Sequence, residues 1–162
     1  MSPKYRVLTE GEISLLARLL SRVRWPLPYP VFVAMCKAVP MIAIDLAVIK
    51  DDRNILLTYR KDEFYDNWHI PGMILRNNDN VISRLKLVAK EELGIKIAKI
   101  NFVGYYEYRD IREYGISLLF SARPASLPID GKYFNIDKLP RKFLKTQIPE
   151  IRLLKKFYRN SK

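Results

Sequence analysis

An adjacent pair of glutamates, Glu91 and Glu92, is the strongest candidate for chemistry in this sequence. The apolar spacing over residues 81–93 predicts an amphipathic helix, and Gly94 is typical of a helix end. Carboxylates at a helix C-terminus face the negative end of the helix dipole, and a bound divalent cation would reverse that unfavourable interaction. Two solvated acids on an exposed helix face are the alternative interpretation.

A second candidate pair, Asp45 and Arg60, lies in two predicted strands upstream. The aliphatic stretches 41–50 and 55–60 flank the turn-like residues 51–54, which favours a β-hairpin. Asp45 interrupts the first stretch, and a buried carboxylate requires a partner. It is therefore either a member of a structural ion pair or a site residue. Arg60 would be its partner or a two-pronged ligand of phosphate.

The single histidine, His69, excludes a catalytic triad built on a second histidine and also a histidine-rich zinc site. It lies between Trp68 and Ile70 in a predicted strand, where packing or an edge hydrogen bond is a more frequent role than general base. The sequence contains no Walker A motif and no G-x-G-x-x-G loop. It identifies no catalytic acid or base.

Residues 68–95 resemble a Nudix box, whose pattern is G-x5-E-x7-R-E-U-x-E-E-x-G-U with U an aliphatic residue. Aligned without a gap, the first glycine of the pattern falls on Met73. The ending is retained over residues 91–95 as Glu-Glu-Leu-Gly-Ile. The Arg-Glu core, which carries a principal metal ligand in many members, is replaced by Leu87 and Val88.

Other positions are similar to the GDP-mannose mannosyl hydrolase branch of the Nudix proteins. In that branch the residues matching Asp45 and Arg60 line the substrate site, and the glutamate matching Glu92 binds the divalent metal. The branch also has an apolar residue at the position of Val88. Its catalytic Gln-His loop has no counterpart between residues 127 and 133. The matching positions are Phe32, Lys37, Pro40, Asp45, Leu56, Leu57, Arg60, Trp68, Pro71 and Gly72.

The resemblance implies an α/β (α+β) protein, a Nudix-type α/β/α sandwich with a mixed β-sheet and an added N-terminal helix. Residues 31–162 would form the Nudix domain, preceded by a helical extension and proline-rich connector over residues 1–30. The implied function is hydrolysis of a nucleoside diphosphate linked to a sugar or similar group. Mg²⁺ or Mn²⁺ would be held by Glu92, Glu91 and the backbone carbonyl of Met73. The alternative is a catalytically weakened module that binds nucleotide or RNA.

Further helices and strands must position these residues. A capping box, Thr9-x-x-Glu12, begins a helix predicted over residues 9–23. Three arginines, at positions 18, 22 and 24, give this helix a basic face suited to a membrane surface or RNA. Packing on the domain itself is the more common arrangement of such a helix. The other predicted elements are a helix over 31–38, strands over 98–109 and 114–123 joined by a turn at 110–113, an aromatic strand and helix entry over 133–140, and a basic helix over 149–162.

Composition sets the broad class. A chain of 162 residues that is 49% apolar predicts one globular domain. The net charge of +12, from 29 basic and 17 acidic residues, predicts attraction to nucleotides, RNA or acidic lipid headgroups.

One cysteine, Cys36, excludes an internal disulfide. The apolar region 25–49 is interrupted by Lys37, Asp45 and prolines, so we expect no membrane span and a cytoplasmic protein. A homodimer is left open.

Overall fold

The computed structural model describes residues 7–51, 53–109 and 114–160. In this part of the chain, none of the helices combines the length and apolar composition needed to cross a lipid bilayer. The helices are α1 (Glu10–Leu20), α2 (Tyr29–Ala38), α3 (Val81–Leu93), a 3-10 turn (Lys145–Gln147) and α4 (Ile148–Asn160). The strands are β1 (Met41–Lys50), β2 (Asn54–Lys61), β3 (Asp66–His69), β4 (Gly72–Ile74), β5 (Ile97–Arg109), β6 (Tyr114–Pro124) and β7 (Lys132–Asn135).

The sheet is mixed, with the strand order β3-β2-β1-β6-β5. Strand β1 runs parallel to β6 and antiparallel to its other neighbours. One edge of β1 is shared, because β2 pairs with residues 48–50 and β4 pairs with residues 43–45. Asp45 is the last of the residues paired with β4, so it lies where the two neighbouring strands separate.

A helix packs on each face of the sheet, which gives the expected α/β/α sandwich. Alternation along β1 sends Ile44 and Leu46 into the core under α3, and Ala47 and Ile49 into the core under α4. The α4 residues in that second core include Ile151 and Leu154. The predicted fold class is confirmed.

Helix α3 has the start and stop that the sequence predicts. The side chain of Asn80 accepts a hydrogen bond of 3.0 Å from the Ser83 backbone N–H, and so caps the first turn. Gly94 ends the helix in the left-handed conformation, with φ of 64°, which favours glycine. Leu85 and Val88 are fully buried. Val88 therefore supports the core from the position where the Nudix pattern has its core glutamate.

Helix α1 forms with its predicted capping box, but its apolar face is not covered. None of its residues is buried, and its leucines and isoleucine are about half exposed. The expectation that this helix packs on the domain is therefore wrong. The physical reason is that a 3.6-residue period predicts which face of a helix is apolar, and carries no information on what covers that face.

The late part of the chain differs from the prediction in one respect. Residues 132–135 form the expected aromatic strand, β7, but the residues that follow form turns and no helix begins there. Trp68 forms a parallel bridge with Phe143, and the helical backbone resumes only at Lys145. The predicted helix over residues 149–162 is present as α4. The predicted turn at residues 110–113 lies outside the described residues.

Candidate functional site

A cavity of about 310 Å³ opens where β1 and β4 meet, next to the point at which β2 separates from them. It contains both members of the predicted pair, Asp45 and Arg60, and also His69. Its aromatic walls come from distant parts of the chain. They are Phe32 on α2, Tyr65 before β3, and Tyr106 and Tyr108 on β5.

Asp45 is buried on the face of the sheet that α4 covers, and its neighbours there come from β6 and α4. It accepts a hydrogen bond from the Ser117 hydroxyl, whose oxygen also lies 3.5 Å from Glu150 Oε1. Burial raises the pKa of Asp45, although Glu150 and Ser117 act in the opposite direction. Gly72 is opposite, and an added Cβ there would lie 2.6 Å from the Ile44 carbonyl oxygen. The absence of a side chain at Gly72 thus allows the close approach of Asp45.

Glu150, on α4, is the residue of this site that sequence reasoning missed. It is fully buried, and burial followed by the charge of Asp45 raises its pKa well above the usual range. Its Oε2 atom has no hydrogen-bond partner in the described part of the chain. Because burial raises the pKa of both Asp45 and Glu150, the pair retains a proton where exposed carboxyl groups would lose theirs. The only available sequence signal was an acid among the apolar positions of α4.

Arg60 is not the partner of Asp45. Its Nε lies 2.5 Å from the Asp62 carboxylate, and its guanidinium stacks on the Tyr65 ring with 4.6 Å between the guanidinium carbon and the ring centroid. The side chain is 46% exposed. The structure therefore brings Arg60 and Asp45 to one cavity without pairing them. The Arg60 guanidinium is accessible to a ligand in that cavity.

His69 makes a hydrogen bond with each ring nitrogen. Nδ1 lies 3.0 Å from the Ile70 carbonyl oxygen, which can only accept, so Nδ1 carries the hydrogen. Nε2 then accepts from the Thr58 hydroxyl at 3.0 Å. Burial, the larger cause, and the charge of Arg60 lower the pKa of the ring. A neutral imidazole that makes two hydrogen bonds agrees with the predicted edge hydrogen-bonding role.

Gln147 fixes the turn between β3 and β4, at the start of the segment that resembles a Nudix box. Its side-chain oxygen accepts from the Ile70 N–H at 2.8 Å and its amide donates to the Ile70 carbonyl at 3.0 Å. This pair of bonds imitates a strand partner at the end of β3. Pro71 follows directly and Gly72 begins β4, so Gln147 helps to position the backbone beside Asp45. Sequence reasoning gave no role to Gln147.

The predicted metal ligands lie at the end of α3 near this turn. The Glu92 carboxylate accepts a hydrogen bond from the Gly72 N–H, and Met73 lines the cavity. Glu91 is exposed on the same turn of the helix. Within residues 7–51, 53–109 and 114–160, no group of three or more His, Cys, Asp or Glu side chains could hold a metal.

Two carboxylates and a carbonyl nevertheless fit Mg²⁺, which usually binds through one or two carboxylates together with water and substrate phosphates. The environment of Glu92 shows whether a cation would be stabilised here. Burial first, and then the charge of Asp45, raise the pKa of Glu92 from 4.5 to about 7. A carboxylate this poorly solvated and surrounded by negative charge is stabilised by a cation. Glu91, Glu92 and the Met73 carbonyl are therefore suited to bind Mg²⁺.

Metal binding should therefore depend on pH near neutrality. A proton and a cation compete for Glu92, whose pKa is about 7, so binding should weaken as the pH falls through 7. We expect the rise in melting temperature caused by 5–10 mM Mg²⁺, roughly the range for a weak site, to be larger at pH 8 than at pH 6. Thermal melts with and without Mg²⁺ at both values measure it. An equal rise at both values would contradict Glu92 as a ligand.

Comparisons with known proteins agree with the fold described above. No family model matches the chain. It is 32% identical over 76 residues to the low-salt glycan biosynthesis protein Agl8 of Haloferax volcanii, covering 46% of this chain and 48% of that relative. The solved structure of a MutT Nudix hydrolase from Burkholderia pseudomallei matches with a TM-score of 0.60 at 22% identity, over 72% of this chain and 97% of that one.

A solved UDP-X diphosphatase matches a larger part of the chain. Its TM-score is 0.63 at 19% identity, and the match covers 92% of this chain and 79% of that one. These likenesses show that the chain has the Nudix fold. The match to the curated relative spans about half of that relative's length.

Proposed function

We propose that the chain is a Mg²⁺- or Mn²⁺-dependent hydrolase of a nucleoside diphosphate linked to a sugar or similar group. The observation that carries the proposal is a single cavity containing Asp45, Arg60 and Met73, with Glu92 bonded to the backbone at its edge. Its volume is at the lower end of the range for small-molecule sites. The relatives named for UDP-X hydrolysis and glycan biosynthesis agree with this substrate class.

Each residue has a role that its surroundings support. Arg60, which is half exposed and lies over the Tyr65 ring, would bind the diphosphate in two-pronged fashion. Asp45 would accept a hydrogen bond from a substrate hydroxyl or orient the group that does. Glu92, Glu91 and the Met73 carbonyl would hold the cation. When bound, the cation would neutralise the diphosphate and stabilise the departing phosphate.

The direct test is an activity screen with purified protein over nucleotide sugars, dinucleotides and capped RNA, each with Mg²⁺, with Mn²⁺ and with EDTA. We expect metal-dependent release of a nucleoside monophosphate or diphosphate from the nucleotide sugars. EDTA should abolish it. Binding of these compounds with no turnover under any condition would contradict the hydrolase.

Replacing Arg60 by alanine should weaken binding of a nucleoside diphosphate by at least about tenfold, because a charge-assisted hydrogen bond to phosphate is lost. The change should cost little stability, since the Arg60–Asp62 pair is half exposed. Arg60→Lys should not restore binding, because an ammonium lacks the planar fork. Calorimetric titration measures the affinity and thermal melts measure the stability.

Arg152→Ala is the matched control, since Arg152 is an exposed arginine on α4 and does not line the cavity. It should leave the affinity unchanged. An Arg60→Ala protein that melts far lower and binds with undiminished strength would show that Arg60 is structural.

A second candidate function is a non-catalytic module that binds nucleotide or RNA. Specific observations favour it: Val88 is buried in the core, and Leu87 occupies the other central position of the box. The basic side of α4 would supply the RNA contacts. An RNA complex should weaken steeply as salt rises, in proportion to the phosphates contacted, whereas small-nucleotide binding should change moderately.

A further inference from the structure

A second cavity, of about 400 Å³, lies beside the first. It is an open cavity that lies between the connector preceding α2 and one face of α3. Three residues line both cavities and form the wall between them: Phe32, Met73 and Ile74. The residues that line only the second cavity are Trp25, Arg76, Arg84, Leu87 and Glu91.

The second cavity has an acidic end and a basic end. Glu91 and Arg84 both belong to α3 and are seven residues apart, which corresponds to about 10 Å along a helix. Glu91 is at the end of the helix that approaches Gly72 and the first cavity, because its neighbour Glu92 bonds to the Gly72 backbone. Arg84 is therefore at the end away from the first cavity. Arg76 lies near it, because the Asp79 carboxylate contacts both the Arg76 backbone N–H and Arg84 Nε.

The two arginines differ in how far their charge is compensated. Arg84 has its Nε 3.1 Å from the Asp79 carboxylate, close enough for an ion pair, but this buried nitrogen has no aligned hydrogen-bond acceptor in the described part of the chain. Arg76 lies over the Trp25 ring, 5.0 Å from its centroid. No ion pair of Arg76 is present among the described residues. Arg76 thus supplies the net positive charge.

We propose that this second cavity binds the group linked to the nucleoside diphosphate, and that Arg76 and Arg84 select a group carrying its own carboxylate or phosphate. The inference rests on the proposed function, because it assigns the two halves of one substrate to two adjacent cavities. The diphosphate would lie at the shared wall, next to Glu91 and Glu92. Trp25 and Phe32, in edge contact at 6.4 Å, would cover the apolar face of a sugar ring.

The first test measures the second cavity without catalysis. Trp25 is one of two tryptophans, so its fluorescence can report binding. We expect α-D-glucuronic acid 1-phosphate to change the emission at a concentration about tenfold lower than α-D-glucose 1-phosphate. This ratio corresponds to one charge-assisted contact. Trp25→Phe should remove the signal. Arg76→Gln should bring the two affinities together.

The second test measures the same preference in the reaction. The ratio of kcat/KM for UDP-glucuronic acid to that for UDP-glucose, or for GDP-mannuronic acid to that for GDP-mannose, should be about tenfold in favour of the acid. Arg76→Gln should reduce the ratio to about one. Lys86→Gln, which removes an exposed cation elsewhere on α3, should leave the ratio unchanged.

The outcomes separate the inference from the function on which it rests. Hydrolysis that does not distinguish acidic from neutral sugars, or a ratio that survives Arg76→Gln, overturns the inference and leaves the proposed function in place. Charge-selective binding reported by Trp25 without hydrolysis supports the anion-selective cavity and overturns the hydrolase. Equal binding of the two sugar phosphates overturns the selectivity of the cavity.

Discussion

Replacing Glu92 by glutamine should abolish the rise in melting temperature caused by Mg²⁺ and lower metal-dependent hydrolysis by about 10²–10³-fold. The same change should make the metal-free protein more stable at pH 8. The pKa of Glu92 is about 7, so at pH 8 the folded protein contains a poorly solvated negative charge that glutamine removes. Loss of function together with a gain of stability is the expected result, and general damage to the fold cannot produce it.

Two control variants make the assignment specific. Glu91→Gln should reduce the Mg²⁺-induced rise without abolishing it, because Glu91 is exposed and supplies one of the remaining ligands. Glu10→Gln, on the exposed helix α1, should change neither the rise nor the activity. Melting curves and initial rates with 0 and about 10 mM Mg²⁺ provide both measurements. A full Mg²⁺ effect in Glu92→Gln would exclude Glu92 as a ligand.

Elements with a local signal were predictable from the sequence. Helix α3 has Asn80 at its start, Gly94 at its end and a regular apolar stripe between them, and each of these acts within one or two turns. The hairpin of β1 and β2 follows equally from two aliphatic stretches around a turn. The position of Asp45 on the face opposite Ile44 follows from the two-residue period of a strand.

The partners within the site were not predictable, because they come from distant parts of the chain. Ser117 is 72 residues from the carboxylate to which it donates, and Gln147 is 77 residues from the backbone it fixes. Which strand lies beside β1, and in what register, decides these contacts. A single sequence contains no local trace of that pairing. Of the two roles predicted for Arg60, pairing with Asp45 is absent for this reason, because Arg60 pairs with Asp62.

The aromatic wall of the site illustrates the same limit. The sequence indicates a role for Phe32 only through the resemblance to a Nudix branch, and it places Trp25 in a connector. In the structure both contact the site region, since Phe32 lines two cavities and Trp25 stacks on Arg76. Proline spacing predicts an extended connector over residues 25–30, but Trp25 and Pro26 form a bend and Tyr29 already begins α2. The direction in which such a segment runs depends on contacts that form only in the folded chain.

The buried pair of Glu150 and Asp45 should make stability fall as the pH rises. Burial raises the pKa of both groups, so the folded chain keeps a proton that the unfolded chain loses above about pH 4.5. The stabilisation is complete below that pH and is lost as the pH rises towards the folded-state pKa. Glu150→Gln retains the shape and a hydrogen-bond donor but cannot ionise. Its stability relative to the natural protein should therefore increase with pH, by up to about 1.4 kcal/mol per pH unit.

Urea unfolding at pH 5.5, 7 and 8.5 measures this difference, values chosen to span the range from roughly one unit above the usual glutamate pKa. Comparing two proteins cancels the contribution of His69, whose lowered pKa acts in the opposite direction. Glu63→Gln, which makes the same change in an exposed loop, is the matched control. Glu150→Ala should be about 3 kcal/mol less stable than Glu150→Gln at every pH, because it leaves a cavity and removes the neighbour of buried Asp45. A pH-independent difference for Glu150→Gln would mean that Glu150 ionises normally and that Asp45 is held by Ser117 alone.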